Sequence, residues 1–548
     1  MLLFSACQAA RAEESLTRAS DWPSYYGSNQ GSSYSALKQI NRQNVGTLLP
    51  AWVFSTGLAK EGLSATPLVI DGTMFFPTAD NSVFALQAAT GRLLWRYLYQ
   101  PSESRSGPRK PLGLAAGFGL VFIGTADHHL IALDQTSGRE RWDVEISDPR
   151  QCGCGPSVAP LLVKDKIVIG VSSFDTAHRG YIDAFYAKTG KHAWRFWAIP
   201  GPGEAGHDTW PNDLWKLGTS STWLTGSFDA PLNLIYWPVG NPGPMIGGDY
   251  SGRKLYSDSV LALDADTGKL KWYFQEIPND KFDYDALEPI LFNANIDGHD
   301  RRLLLQPNKG GFAYVLDRVS GAFIRGFRFA EAINWTQGLD AAGQPLDPRL
   351  SIGQSIDTLA CPGVYVARAI GHSSYSPLTH WWYNSSYETC THQMGVPPRA
   401  PQEGFLFTAS IYSDTRIAAN SHPLIAAFDP VTAERKWIYP SNSVNLSSLV
   451  STAGNLLFGG DVFGNVFALD AIDGTKLWSF DIGTGISSTP ISFAVGGRQY
   501  IAVAGGLSPV AAALVNDVLT NEEKALLPPV GSVIVAFALP ETARSAAP

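Results

Sequence analysis

Asp175, Asn241, Asp283 and Asp285 all follow short apolar runs. Lys166-Ile167-Val168-Ile169-Gly170-Val171 precedes Asp175, Leu234-Ile235-Tyr236-Trp237 precedes Asn241, and Trp272-Tyr273-Phe274 precedes the aspartate pair. Residues just past strands sit in loops, and loops of a β scaffold can gather side chains that are far apart in sequence. Carboxylates and an amide carbonyl are hard oxygen donors, suited to Ca2+ and similar ions rather than to zinc. Taken singly, a loop aspartate is more often a turn former. Cysteine chemistry is narrower. No Cys-x-x-Cys-His occurs, so no c-type haem is attached to this chain. Cys390 with His380 or His392 makes a poor zinc set, and a Cys361–Cys390 disulfide pinning a long loop is the better reading.

The elements that must position these loops are written as a repeat. A small-apolar pair, an acidic or polar turn, Thr/Ser-Gly, a basic residue and then Trp recur along the chain. The cleanest copy is Ala262-Leu263-Asp264-Ala265-Asp266-Thr267-Gly268-Lys269-Leu270-Lys271-Trp272. Others end at Trp95, Trp142, Trp194, Trp437 and Trp478, and a degenerate one ends at Arg325. Alternating apolar residues make a strand, the turn uses glycine for its positive φ, and Trp begins the outgoing strand. One indole per unit can pack between neighbouring sheets. An eighth unit is split between Leu49-Pro50-Ala51-Trp52 and Val533-Ile534-Val535-Ala536-Phe537-Ala538. Pairing the termini predicts an all-β, eight-bladed propeller over residues 21–540, whose radial closure avoids exposed sheet edges. Spacing stretches to 78 residues between Trp194 and Trp272 and to 112 between Arg325 and Trp437. A long insertion is therefore expected at about 326–420.

Composition agrees. The 548 residues include 53 Gly, 36 Pro and 16 Trp, with 45% hydrophobic and only 16% charged. This excludes a disordered chain, a coiled coil and a helical bundle. A net charge of −8 argues against nucleic acid as a partner. Residues 1–12 read as the tail of a secretory signal with Ala10-Arg11-Ala12 as the cleavage pattern, and the missing basic segment reads as a truncated start. Lipid attachment at Cys7 is the alternative. No later run spans a bilayer, and residues 541–548 read as a disordered tail. Cleavage leaves Cys152, Cys154, Cys361 and Cys390, an even number suited to an oxidising compartment.

Four segments carry a resemblance: Gly218-Thr219-Ser220-Ser221-Thr222-Trp223-Leu224-Thr225-Gly226, Gly240-Asn241-Pro242-Gly243-Pro244, Phe282-Asp283-Tyr284-Asp285, and Gln306-Pro307-Asn308-Lys309-Gly310-Gly311-Phe312. With the repeat they resemble the pyrroloquinoline-quinone (PQQ) dependent alcohol dehydrogenases of the methanol and ethanol dehydrogenase type, over nearly the whole chain. The resemblance implies a periplasmic enzyme oxidising an alcohol by hydride transfer to metal-bound PQQ, with electrons passing to a separate cytochrome c. It implies Asp283 as catalytic base, Asp175 (where Glu is usual) and Asn241 as metal ligands, and Trp223 as the cofactor's platform. Ser172 and Ser221 match polar contacts to PQQ, and Lys309 matches a cation near the quinone oxygens. Asp285 resembles the extra ligand of lanthanide-dependent forms, so the expected ion is Ca2+ or a lanthanide. Cys361 and Cys390 match the family disulfide.

The chain also departs from that pattern. The adjacent Cys-Cys pair that covers PQQ is missing, and Cys152-Gly153-Cys154 does not align with it. Leu112 stands where the family has Arg, Ser64 where it has Glu, and Tyr375 where Trp is frequent. The competing expectation is a cofactor-free propeller scaffold, such as an outer-membrane assembly lipoprotein built from the same repeat. The long insertions and the grouping of Asn241, Asp283, Asp285 and Lys309 favour the enzyme.

Overall fold

Each copy of the repeat forms the last two strands of a four-stranded antiparallel sheet, as with Val83–Gln87 and Arg92–Tyr97 in the first. The computed structural model describes residues 18–58, 62–101, 111–147, 155, 158–171, 175–247, 251–348, 356–364, 367–368, 371–397, 399–417, 423–441 and 444–540. The leader and Cys7, Cys152, Cys154, Ser172 and the tail 541–548 lie outside them. Eight blades arise among the described residues, seven of four strands and one to which Tyr34–Ser35 adds a fifth. Leu49–Ser55 pairs antiparallel with Val533–Ala538, from Leu49 opposite Ala538 to Ser55 opposite Val533, so the two ends of the chain close the ring.

The indoles explain the repeat. Trp52 Nε1 donates to the carbonyl of Ala88 at 3.1 Å, and its ring lies against Gly91, where a Cβ would come within 2.6 Å of Trp52 Cε3. Gly91 also has φ +71°, so the turn needs glycine twice over. Trp95, Trp142, Trp194 and Trp437 repeat the bond onto Gln135, Ala187, Ala265 and Ala471 of the next blade. The degenerate copy is matched by a change in its neighbour. Arg325 Nη1 donates to Thr432 O at 3.0 Å, and the adjoining turn carries Ala433, not Gly, at φ +64°. With no indole to seat, the turn tolerates a side chain. Apolar clusters fill the seams between blades, as where Met74, Phe76 and Leu86 meet Ile491, Ala502 and Ile534.

Two additions shape the centre. The N-terminal segment crosses the inner strands of consecutive blades, with Asn29, Gln30, Ser32 and Ser33 carbonyls accepting from Phe228, Leu291, Tyr375 and Ser451. A further sheet combines Asp357–Ala360, which lies between the fifth and sixth blades, with Thr389–Gly395 and Thr408–Ile417. The latter two are inserted within the sixth blade, between Trp381–Ser386 and Leu424–Phe428, and Met245–Gly247 joins the sheet. A disulfide between Cys361 and Cys390 ties two of these strands together.

Candidate active site

Backbone hydrogen bonds draw the four chemistry-bearing loops together. Thr219 N donates to His178 O at 2.8 Å, Ser220 N to Asn241 O at 3.1 Å, and Gly240 N to Ser221 O at 2.8 Å. Asn241 N then donates to Asp285 Oδ1 at 2.5 Å, and Lys309 N to Asp285 O at 3.0 Å. Asp175, Thr219, Ser220 and Asp283 all hold positive φ, at +57°, +68°, +45° and +70°. Such strain in non-glycine residues persists where the surroundings over-determine it, and it gathers at functional sites.

Lys309 is the electrostatic hub. Its ammonium lies 2.9 Å from Asp283 Oδ1 and 2.6 Å from Asp285 Oδ2. Burial alone would pull its pKa down, but the charges of Asp283 and Asp285 outweigh that and hold it above the ordinary lysine value. Burial pushes the Asp283 carboxyl well above the usual carboxylate range; Lys309 opposes the shift, and Asp285 and Asp175 add to it. The Asp283 side chain is 15% exposed against 3% for Asp285, so Asp283 alone of the pair is open to a substrate. Trp223 is half-buried, donates from Nε1 to Asp285 Oδ2 at 2.8 Å, and presents its ring 5.1 Å from the Lys309 ammonium. Ser221 is buried and donates to Val171 O at 2.9 Å. Asp175 touches this group through its charge, and its carbonyl accepts from Phe407 N at 3.0 Å.

The donor set is chemically suited to a hard cation, and Gly240 lets the Asp285 carboxylate close onto the backbone, since a Cβ there would lie 2.7 Å from Oδ1. Among the described residues, no three His, Cys, Asp or Glu side chains are drawn in as closely as a ligand set. The Lys309 ammonium takes the position between Asp283 and Asp285. Nearby, the Thr219 and Ser220 hydroxyls are buried without hydrogen-bond partners, polar atoms of the kind a bound ligand satisfies.

A family model, "Glucose/ethanol/alcohol dehydrogenase, beta-propeller domain" (PQQ), matches residues 22–329. The quinoprotein alcohol dehydrogenase PedH of Pseudomonas putida is 33% identical over 539 residues, covering 92% of this chain and 90% of that protein. The chain belongs to the PQQ-dependent quinoprotein alcohol dehydrogenase family. Subunit 1 of methanol dehydrogenase [cytochrome c] from Methylobacterium organophilum is 31% identical over 523 residues, with 87% and 82% of the chains covered. A europium-containing methanol dehydrogenase superposes with a TM-score of 0.89 at 28% identity, covering 95% of this chain and 99% of that one.

Other residues singled out in the sequence sit in apolar surroundings. Leu112 packs against Tyr25, Tyr26 and Ala159. Tyr375 is buried against Phe292, with ring centroids 5.0 Å apart. The sequence reading passed over Asp280, whose carboxylate accepts from Phe282 N at 2.9 Å and Tyr284 N at 2.6 Å and so shapes the aspartate turn. Burial raises its pKa to about 6. An Asp two residues before a turn is a recognisable signal. Tyr284 and Trp335, which brace the same turn, left no comparable local sign.

Proposed function

We propose that the protein oxidises an alcohol to an aldehyde or ketone, using PQQ and one hard cation held by this site. The observation that carries the reading is the Asp283–Lys309–Asp285 arrangement beside the Trp223 ring. When bound, PQQ supplies a two-electron hydride acceptor and the cation a Lewis acid at its quinone. Asp283 is the base for the substrate hydroxyl proton: it is the more exposed carboxylate, and burial raises its proton affinity toward the working range. Lys309 holds Asp283 in place and presents positive charge on the same side as the Trp223 face. Trp223 offers a flat apolar shelf whose orientation is fixed by its bond to Asp285. Ser221, and by the family resemblance Ser172, would make polar contacts to PQQ.

Asp285, Asn241 and Asp175, with Asp283 alongside, would hold the cation. Several carboxylates around one position favour a trivalent ion on charge alone, which tips the choice between Ca2+ and a lanthanide toward the lanthanide. A soluble cytochrome c is the proposed electron acceptor, since the chain carries no haem-attachment motif of its own. The Cys361–Cys390 disulfide supports export to the periplasm. Among the described residues, no helix is long and apolar enough to cross a membrane.

The test is reconstitution. Apoprotein is titrated with PQQ plus La3+ or Ca2+ and assayed with an artificial electron acceptor on short alcohols, aldehydes and sugars. Alcohol oxidation with at least one ion is expected, with Asp285→Ala losing the lanthanide-supported rate. No bound quinone and no activity with either ion would overturn the reading.

A further inference from the structure

Tyr284 stands between the two aspartates, and its ring is fully buried. It stacks on Phe282 with centroids 5.2 Å apart and meets Trp335 at 5.2 Å. Its hydroxyl donates to Pro362 O at 2.6 Å, a contact spanning 78 residues. Pro362 directly follows Cys361, which is bonded to Cys390. The strand Asp357–Ala360 runs into that cysteine and pairs with Thr389–Gly395, Ala360 opposite Thr391.

The same stretch reaches the lysine side of the site. Cys361 N donates to Asn334 Oδ1 at 2.8 Å, and Asn334 N returns a bond to Cys361 O at 3.0 Å. The next residue, Trp335, donates from Nε1 to Gly310 O at 3.0 Å, one residue past Lys309. The disulfide corner is therefore connected to both halves of the Asp–Lys–Asp arrangement. Asp283 gains from such support, because φ +70° is a sparsely populated conformation, though one that aspartate tolerates better than most residues. On its own loop, Asp280 restrains the backbone at Phe282 and Tyr284. The Tyr284 hydroxyl is a restraint from outside the loop, added to those that Asn241, Trp223 and Lys309 place on the two aspartates.

We propose that Tyr284 is a positioning residue through which the Cys361–Cys390 disulfide sets the geometry of Asp283 and Asp285. The proposal rests on the reading of these aspartates as base and cation ligand. The disulfide keeps the Pro362 carbonyl in register, the carbonyl holds the phenol, and the phenol holds the turn that carries both carboxylates. The sheet around Cys361 and Cys390 is thereby part of the site without contributing a reacting group.

The test is a coupling measurement on four full-length proteins: wild type, Tyr284→Phe, Cys361→Ser/Cys390→Ser, and the triple variant. Hydrogen exchange of the 280–287 backbone is read in unloaded protein, and the cation dissociation constant in PQQ-loaded protein. Each change alone is expected to speed exchange of that stretch and weaken cation binding, both about tenfold. The triple variant is expected to be no worse than either, because residues on one path do not add. Brief dithiothreitol reduction of folded wild type replaces the serine variant if that variant fails to fold. Additive effects, or unchanged exchange in Tyr284→Phe, would overturn the proposal. Exchange needs neither cofactor nor turnover, so a failure of the enzymatic reading would show separately, as inactive protein with the coupling intact.

Discussion

Trp223 and Asp285 are joined by a 2.8 Å hydrogen bond from the indole Nε1 to Oδ2. The residue proposed to carry the planar cofactor and the residue proposed to set the metal preference are thus one unit. Because Asp285 Oδ1 also accepts from Asn241 N at 2.5 Å, the carboxylate is held at both ends by the loops it must work with.

Trp223→Phe tests that unit. The substitution keeps an aromatic face and removes the donor. A hydrogen bond to a buried carboxylate is worth about 2 kcal/mol, so PQQ binding at fixed cation should weaken about thirtyfold. Equilibrium titration followed by quinone absorbance measures it. Unchanged affinity would show that the ring face alone matters.

The blade seams make a second prediction. Gly91→Ala would press a Cβ to within 2.6 Å of Trp52 at φ +71°, and overpacking plus left-handed strain should cost about 3 kcal/mol. Arg325→Trp should destabilise by itself, because Ala433 occupies the place where other copies have glycine. Adding Ala433→Gly should recover most of that loss. Denaturant unfolding of the single and double variants reads the coupling; simple additivity would contradict the docking account.

A third concerns pH and the ring's centre. His372 is buried, with Ser33 Oγ 2.9 Å from Nδ1 and Thr489 Oγ1 2.9 Å from Nε2. Burial brings its pKa down to about 4. The unfolded chain takes up a proton near the ordinary value of about 6.5, so between these values the unfolded state binds more protons and stability falls as pH falls. The contribution is about 3 kcal/mol, full above the upper value and gone below the lower one. His372→Gln should show a smaller drop in unfolding free energy between pH 7 and pH 4 than wild type. An identical drop would assign the acid sensitivity elsewhere.

The ring was legible because its logic is local. An indole seated on the glycine of the next turn repeats in the sequence at blade spacing, and the split eighth unit follows from Trp52 lacking an upstream half. Asp283, Asp285 and Lys309 were legible from their motifs, and the structure brings them within hydrogen-bonding distance. The path of the N-terminal segment across four blades was not legible, because it is held by backbone carbonyls that carry no residue signature. The Tyr284–Pro362 bond was hidden for a related reason: a phenol and a carbonyl 78 residues apart obey no spacing rule. The sheet built by the insertion has neither the repeat nor a metal motif to announce it.

The most direct test of the account is a single turnover without external acceptor. Protein loaded with PQQ and its cation is mixed anaerobically with a short primary alcohol, and aldehyde is counted per bound cofactor. One equivalent is predicted for the wild type. Asp283→Asn, still binding PQQ, is predicted to be about a thousandfold slower, within the range a general base contributes. No aldehyde from the wild type, or an equal rate in Asp283→Asn, would contradict the account.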